Sequence, residues 1–200
     1  YFPHEFFSAS MTMDISNQNK LSEFYEEIKR LNINIVRPDI NKCFADFRSD
    51  DNNFYYALGG IKSVGYEAVS NIIKERIQNG KFKSINDFIN RVNSKDINKL
   101  QLEGLVKAGA FDNLNDNRQA LFNSIPNFIL KSKNIFDNKV ANQIDLFAPG
   151  EIKDDDIVNI IDDWKFEERL SKEFEAVGFF ISDHPLNQFK EIFDDCKIID

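Results

Sequence analysis

Apolar residues recur at helical spacing in four runs between about residues 57 and 130, and this pattern constrains the fold most strongly. Such spacing places the apolar side chains of each run on one face of a helix. The first run ends at Asn79-Gly80 and the third at Gly109, and glycine commonly ends helices. Short amphipathic helices must bury their apolar faces against one another, so the pattern predicts a mainly α-helical fold.

Polar residues indicate where some of these helices begin. Ser84 followed by Asp87 resembles a capping box, and Asn115 could cap the fourth helix. Pro126 lies inside the fourth apolar pattern, and proline in a helix interior predicts a kink or an end at that point. The third helix is expected over about 98–108.

The first 57 residues predict a helix and a small amount of β-structure. Apolar spacing over 18–31 predicts an amphipathic helix, and 31–38 predicts a short strand that ends at a proline. Two aromatic-rich runs surround a polar turn within 42–57 and predict a β-hairpin. The predicted fold class is therefore mainly α with a small β-hairpin.

Periodicity is lost over 131–163, which predicts a flexible linker. The acidic run Asp154–Asp156 lies in this segment, and such runs are usually solvated rather than metal-binding. Periodicity returns in 164–200, where a helix is expected, followed by a strand over 178–182 and a turn at His184-Pro185.

Charge is distributed unevenly along the chain. The formal net charge is −8, which argues against nucleic acid covering the whole surface. Residues 57–134, however, contain 12 basic and 7 acidic side chains, a net of +5, whereas 135–200 contain 7 basic and 17 acidic ones, a net of −10. Any contact with a phosphate backbone is therefore expected in the middle of the chain.

Several classes of protein are excluded or disfavoured by composition. Twenty phenylalanines can build a core, so a wholly disordered chain is excluded. No apolar run is long enough to span a bilayer, and no signal peptide is visible at the start. Cys43 and Cys196 are far apart, which favours reduced thiols in a cytoplasmic protein, and no metal site is expected. The chain opens with Tyr1 rather than methionine, so a piece of a longer chain is expected.

A glycine-containing turn directly before a helix is the first signal of chemistry. The candidate DNA-binding residues here are Gly60, Lys62, Val64, Gly65 and Tyr66. Gly65 lacks a Cβ and allows a close backbone approach, the amides that follow could bind an anionic oxygen, and Lys62 adds a positive charge. The pattern resembles a helix-hairpin-helix motif, which grips DNA without reading its sequence.

A second, weaker copy of this pattern lies around Leu105–Asp112. Lys107 and Gly109 fall between two predicted helices, and Arg118 lies downstream. All three are candidate DNA-binding residues. The alternative is that Gly65 and Gly109 only separate the helices of a bundle.

A short apolar peptide stands inside the predicted linker and consists of Gln143, Ile144, Asp145, Leu146 and Phe147. An isolated apolar pair in a polar segment often anchors a chain in the groove of a partner. The peptide resembles the pentapeptide by which bacterial replication proteins bind the ring-shaped sliding clamp. The alternative is that Leu146 and Phe147 fold back onto the helices.

Taken in order, these segments resemble one family, the alpha subunits of bacterial DNA polymerase III, which are C-family replicative polymerases. The resemblance is carried by Tyr1–Phe7 with Arg37–Asn41, by Tyr56–Gly65, by Leu105–Asp112 with Asn117-Arg118, by Gln143–Phe147 and by Glu168–Leu186. It covers nearly the whole chain. No single motif decides it, and the ordered set does.

The resemblance implies a division of the chain. Residues 1–41 would be the end of a fingers domain, 42–57 the β-hairpin and 58–130 a tandem helix-hairpin-helix region. Residues 131–163 would be the linker with the clamp-binding peptide. Residues 164–200 would lead towards an OB-fold that lies beyond this chain.

The resemblance also implies a function. The parent protein would be a DNA-directed DNA polymerase that uses Mg²⁺, with double-stranded DNA, the sliding clamp and other replicase subunits as partners and no membrane. Its palm aspartates have no matching motif here, so no catalytic residue and no cofactor are expected in this chain. The alternatives are a non-enzymatic DNA-repair scaffold that contains the hairpin pair, and a structural helical interaction domain without DNA contact.

Overall fold

The computed structural model describes residues 2–140 and 158–189 of the chain. The helices are α1 Pro3–Met13, α2 Gln18–Arg30, α3 Tyr66–Asn79, α4 Ile85–Arg91, α5 Lys99–Lys107, α6 Arg118–Val140 and α7 Phe166–Val177. The strands are β1 Asn34–Val36, β2 Arg48–Ser49 and β3 Asn53–Tyr55. Short 3₁₀ helices cover Leu58–Gly60, Ser94–Asp96 and Pro185–Phe189. The predicted fold class, mainly α with a small β-hairpin, is confirmed.

The helix predicted over 18–31 is α2, and local signals determine its start. The side chain of Asn17 accepts a hydrogen bond from the Lys20 amide, which satisfies one of the free N–H groups of the first turn. Leu21, Tyr25 and Ile28 form its buried face. α2 packs against α1, whose Phe7 and Met11 enter the same core.

The three strands form one sheet in the order β1-β3-β2. β2 and β3 are antiparallel and form the predicted hairpin, and Asp50 Oδ1 accepts hydrogen bonds from the amides of Asn52 and Asn53 in its turn. β1 runs parallel to β3, with Ile35 opposite Phe54. This parallel pairing was not predicted, because it joins segments that a local pattern does not relate.

The helices of the middle region follow the predicted pattern with two differences. α3 ends at Gly80, where φ is +84°, and the Ser84 side chain caps α4 by accepting from the Asp87 amide. α6 is capped by Asn117, whose Oδ1 accepts from the Ala120 amide, and the prediction of Asn115 as its cap is wrong. Helical spacing in the sequence predicts Ile77 on the same apolar face as Val69, Ile72 and Ile73, but Ile77 is 69% exposed.

α6 does not stop at Pro126 but continues to Val140. Leu121 and Ile125 on one side of the proline and Phe128 on the other are all buried, and this packing offsets the hydrogen bond that proline cannot donate. Ser132 is buried as well. The prediction of a linker is therefore wrong over 131–140, because α6 extends through these residues.

The far end of the predicted linker also packs on α6. The amide of Asn159 donates to Ser124 Oγ at 2.9 Å, and Asn117 Nδ2 donates to the Ile161 carbonyl oxygen at 2.6 Å. Trp164 is buried, and its ring lies 5.4 Å from that of Phe122. The rest of the predicted linker, with the predicted clamp-binding peptide, lies outside the described residues.

The strand predicted over 178–182 is absent, and a buried carboxylate explains why. α7 forms as predicted, and Glu173 on it is buried at 1% exposure. Its Oε1 accepts hydrogen bonds from the amides of Ile181 and Ser182, both at 2.7 Å. These amides are therefore not available to a strand ladder, and the segment turns around the carboxylate instead.

Glu173 is one member of a network of ion pairs, in which Glu173 and Arg118 are buried and the other members are partly exposed. Its Oε2 lies 3.4 Å from Arg118 Nη1, and Arg118 also forms a two-pronged pair with Asp112, at 2.9 and 2.7 Å. Arg169 on α7 pairs with Asp112 and with Asp163. The network ties α7 to the start of α6 and to the bend that precedes it.

Replacing Glu173 with alanine is expected to lower the free energy of unfolding by about 3–5 kcal/mol, because the amides of Ile181 and Ser182 lose their acceptor and buried Arg118 loses one of its two carboxylate partners. Urea unfolding followed by circular dichroism measures this. Glu175→Ala on the same helix is the control, since the Glu175 side chain is 57% exposed and ion pairs of exposed groups are worth less than about 1 kcal/mol. Equal losses in the two variants would contradict a buried role for Glu173.

Candidate nucleic-acid interface

The predicted first hairpin is a bend that exposes polar residues above two apolar anchors. Ile61 and Val64 are buried, whereas Lys62 and Ser63 are exposed. Ser63 has φ of +65°, which turns the chain back on itself. The Lys62 amide donates to the Ala176 carbonyl oxygen at 2.8 Å, so the underside of the bend rests on the end of α7.

α3 begins directly after this bend, and its first turn has no side-chain cap. Gly65 is the N-cap, and both Gly65 and Tyr66 are exposed. The first N–H groups of a helix have no partners within the helix, and they carry its positive dipole end. Together with Lys62, for which no ion pair occurs among the described residues, they can hold an anionic oxygen such as that of a phosphate.

Gly65 itself does not have the backbone conformation that requires glycine. Its φ of −74° suits any residue, and a Cβ there would meet only the end of the Gln101 side chain, at 3.1 Å. No other backbone of the described chain approaches Gly65 closely. That approach occurs instead at Gly104.

α5 lies against the bend at Gly104. A Cβ on Gly104 would lie 2.8 Å from the Lys62 carbonyl oxygen and 3.1 Å from Val64 Cγ2, so only glycine allows this packing. The contact brings Gln101, in the first turn of α5, beside Gly65. The starts of two helices, α3 and α5, therefore lie next to each other.

The start of α5 is a part of this surface that the sequence analysis missed. Asn98 caps α5 through a full capping box, in which the Asn98 side chain accepts from the Gln101 amide and the Gln101 side chain accepts from the Asn98 amide. The pattern Asn98-x-x-Gln101 was the available signal. Lys99, the first residue of α5, is exposed at this end, and its Nζ lies 3.8 Å from Glu103 Oε1.

The predicted second hairpin, around Gly109, is by contrast covered by side chains. We call it the closed bend, and we call the exposed bend at Ile61–Gly65 the open bend. Gly109 has φ of +78° and is buried, and the guanidinium of Arg118 lies where a side chain at Gly109 would be. Lys107 Nζ pairs with Glu175 at 3.1 Å and lies 5.4 Å from the centre of the Phe122 ring. At Gly109 the alternative holds: the glycine separates two packed helices.

Arg118 is a structural residue in this arrangement. It is 4% exposed, and its donors are directed at Asp112, Glu173 and the Lys107 carbonyl oxygen. Burial alone lowers its pKa, but the hydrogen bonds and charges of Asp112 and Glu173 outweigh burial and raise the pKa above its ordinary value. Arg118 as a DNA contact is therefore wrong in this structure, and Gly60, buried below the first bend, can act only through the fold.

Within residues 2–140 and 158–189, no group of three or more His, Cys, Asp or Glu side chains is placed to hold a metal ion. In the same part of the chain, no helix combines the length and the apolar character needed to cross a bilayer.

Comparison with known proteins adds to this geometry. A family model described as a helix-hairpin-helix motif matches residues 32–121, the range that contains both bends and α3 to α5. The chain is 39% identical over 197 residues to the DNA polymerase III subunit alpha of Borreliella burgdorferi, which aligns 96% of the chain. It is also 34% identical to the Caulobacter vibrioides subunit over 184 residues and 35% identical to the Campylobacter jejuni subunit over 198 residues, covering 92% and 96% of the chain.

The chain is a homologue of the DNA polymerase III alpha subunits. It spans about a sixth of the length of these relatives, 17% of the first and 16% of the other two. Within this homologue, the match to the helix-hairpin-helix motif starts before β1 and ends in the first turns of α6. The open bend, the closed bend and the sheet thus belong to one matched unit.

Replacing Gly104 with alanine is expected to destabilise the fold by about 1–3 kcal/mol, since the new methyl group would collide with a backbone carbonyl that cannot move alone. Gly60→Ala is the matched control, because a Cβ there meets only side chains at 3.6 Å or more. Urea midpoints of the two variants measure the difference. A Gly104→Ala variant as stable as the Gly60→Ala variant would show that α5 is not held against the bend.

Proposed function

We propose that this chain binds the backbone of duplex DNA through the bend at Ile61–Gly65 and the adjacent starts of α3 and α5. The observation that carries the proposal is the uncapped start of α3 beside Lys62, inside the range that matches the helix-hairpin-helix motif. Amide groups and a lysine recognise phosphates and not bases, so the binding is independent of sequence and sensitive to salt.

The predicted contacts divide into three groups under this proposal. Lys62, Gly65 and Tyr66 face the DNA. Val64 and Gly60 support the bend from below. Lys107, Gly109 and Arg118 hold the closed bend together and do not touch DNA.

For the whole protein, we propose a bacterial DNA-directed DNA polymerase that replicates chromosomal DNA in the cytoplasm. Homology over nearly the whole chain to proteins named DNA polymerase III subunit alpha supports this. Mg²⁺-dependent nucleotide transfer would then use residues outside this chain, and other replicase subunits would be partners. We assign residues 1–41 to the end of a fingers domain and 164–200 to the approach to an OB-fold.

We also propose that Gln143–Phe147 binds the sliding clamp. The support is the sequence: a Leu146-Phe147 pair that directly follows Asp145 in a largely polar segment and is followed, after Ala148, by Pro149-Gly150. Apolar pairs of this kind fill pockets on a partner. Two weak attachments, one to the duplex and one to a ring around it, act on each other at high effective concentration, so release from DNA becomes rare.

The two alternatives have less support. A DNA-repair scaffold accounts for the hairpins, but the similarity to alpha subunits extends over 96% of the chain and well beyond the matched motif. A purely structural helical domain requires buried amides at the glycine bends. Gly109 meets that requirement, whereas Gly65 and the first residue of α3 are exposed.

Replacing Lys62 with glutamine is expected to weaken duplex binding for all sequences, because one phosphate contact is lost. The slope of log affinity against log salt concentration should fall by about 1. Fluorescence anisotropy with two duplexes of unrelated sequence measures both quantities. Lys107→Gln is the matched control and should leave the slope unchanged, since Lys107 is paired with Glu175.

Two results would contradict this proposal. One is a duplex affinity that does not depend on salt. The other is a slope that responds to Lys107→Gln and not to Lys62→Gln, which would mean that the closed bend and not the open one contacts DNA.

Replacing Leu146 and Phe147 together with alanine is expected to weaken binding to a purified bacterial sliding clamp by on the order of 100-fold, because buried anchor residues dominate such interfaces. Surface plasmon resonance measures the change. The control is the double variant Ile160→Ala and Ile161→Ala, which removes two exposed apolar side chains elsewhere. Equal clamp affinity of the wild-type chain and the Leu146/Phe147 variant would refute this role.

A further inference from the structure

The β-hairpin is joined to the start of α3 through Tyr66. The Tyr66 hydroxyl donates to Asp46 Oδ2 at 2.8 Å. Gly59 makes the approach possible, since a Cβ there would lie 2.7 Å from the Ala45 carbonyl oxygen and 3.3 Å from the Tyr66 ring. The segment that leads into β2 and the first residue of α3 therefore lie side by side on one surface.

Arg48, two residues after Asp46, carries the positive charge of this surface. It lies on β2, an edge strand of the sheet, and is exposed. Its guanidinium carbon is 4.3 Å from the centre of the Phe44 ring. In the described part of the chain Arg48 forms no ion pair, so its planar donors are available to an anion.

The Phe44 ring, on which the Arg48 guanidinium stacks, is held in place by contacts on several sides. The Leu58 amide donates to the Phe44 carbonyl oxygen at 2.7 Å, and Phe44 forms a parallel bridge with Ala57. The guanidinium carbon of Arg76 lies 5.3 Å from the centre of the same ring. Arg76 is held from below by hydrogen bonds to the Ile40 and Cys43 carbonyl oxygens. Phe44 therefore supports Arg48 from a fixed position.

Asp46 and Arg48 act with opposite sign on Tyr66, the first residue of α3. The hydrogen bond to Asp46 raises the pKa of Tyr66 above its ordinary value, and the positive charge of Arg48 acts on the same hydroxyl in the opposite direction. The carboxylate of Asp46 is in direct contact with Tyr66 and accepts the hydrogen bond of its hydroxyl.

We propose that Arg48 is a further contact for the phosphate backbone of duplex DNA, so that the bound strand continues from the start of α3 onto the β-hairpin. This inference rests on the proposed duplex binding. It extends the surface beyond the helices to β2, and its geometry suits arginine, whose planar group can stack on Phe44 and pair with a phosphate at the same time.

The test uses the 200-residue chain and fluorescent duplexes at a series of salt concentrations. Arg48→Gln should reduce the slope of log affinity against log salt by about 1 and weaken binding to unrelated sequences equally. Arg48→Lys should retain the slope, because it retains the charge. Arg30→Gln is the control and should not change the slope, because Arg30 lies at the opposite end of α2 from Gln18, which contacts the Gly60 carbonyl oxygen.

A second variant tests the same surface by a gain in binding. Asp46→Asn removes a negative charge, while the new amide oxygen can still accept from the Tyr66 hydroxyl. Binding should tighten several-fold at low salt. Circular dichroism and urea midpoints confirm that each variant is folded.

The outcomes separate the two proposals. If Lys62→Gln lowers the slope and Arg48→Gln does not, the Arg48 contact is overturned and duplex binding stands. If the wild-type chain shows no salt-dependent binding to duplex DNA, the proposed function and the inference both fail. A reduced slope in Arg48→Gln, with an unchanged slope in Arg30→Gln, supports the contact.

Discussion

The buried carboxylate of Glu173 is the interaction on which the arrangement of the described chain most depends. It accepts hydrogen bonds from two amides after α7 and pairs with Arg118 at the start of α6. Because a buried carboxylate is stable only when its oxygens are satisfied, these partners must lie together. α7 is thereby held in the position from which its last turn meets the Lys62 amide. One helix thus stabilises the open bend and the closed bend at once.

The two glycine bends show how similar sequence patterns serve different purposes. At Gly109 a positive φ and an overlying guanidinium make a closed joint between helices. At Gly65 the φ angle suits any residue. The position at which only glycine fits is Gly104, on the neighbouring helix α5. What distinguishes the bends is what packs on them: acidic residues of α7 and the segment before α6 neutralise Lys107 and Arg118, whereas no such partner reaches Lys62 in the described residues.

Much of the fold follows from local patterns in the sequence. The extent of α2, the start and end of α3, the start of α4 and the β-hairpin depend on residues a few positions apart, such as Ser84 with Asp87, and these were predicted. The continuation of α6 past Pro126 depends on burial of Phe128, and the missing strand after α7 depends on Glu173. The apolar pattern itself continues past Pro126 to Phe128, but the role of Glu173 is not visible in a window of neighbouring residues.

The residues of the candidate site also fall into two groups: those that a local sequence pattern identifies and those whose role depends on distant contacts. Lys62 and Gly65 were found because turn, glycine and helix are contiguous in sequence. The start of α5 was missed because its place beside Gly65 depends on the contact of Gly104 with Lys62. Arg118 was misread because one of its partners, Glu173, is 55 residues away. Basic residues and glycines in the sequence identify candidate DNA contacts. Only the tertiary contacts of the fold determine which of these side chains have no protein partner.

The dependence of the first bend on α7 has a consequence for biosynthesis. The bend is complete in sequence by Gly65, but its amide support at Ala176 and the hydrogen bond from Tyr25 to Ile181, which spans 156 positions, come from the far end of the chain. During synthesis on the ribosome, the bend at Ile61–Gly65 therefore gains this support only after α7 has emerged. Contacts of such long sequence separation slow folding. A nascent chain stalled before α7 would therefore display the Ile61–Gly65 loop without its support.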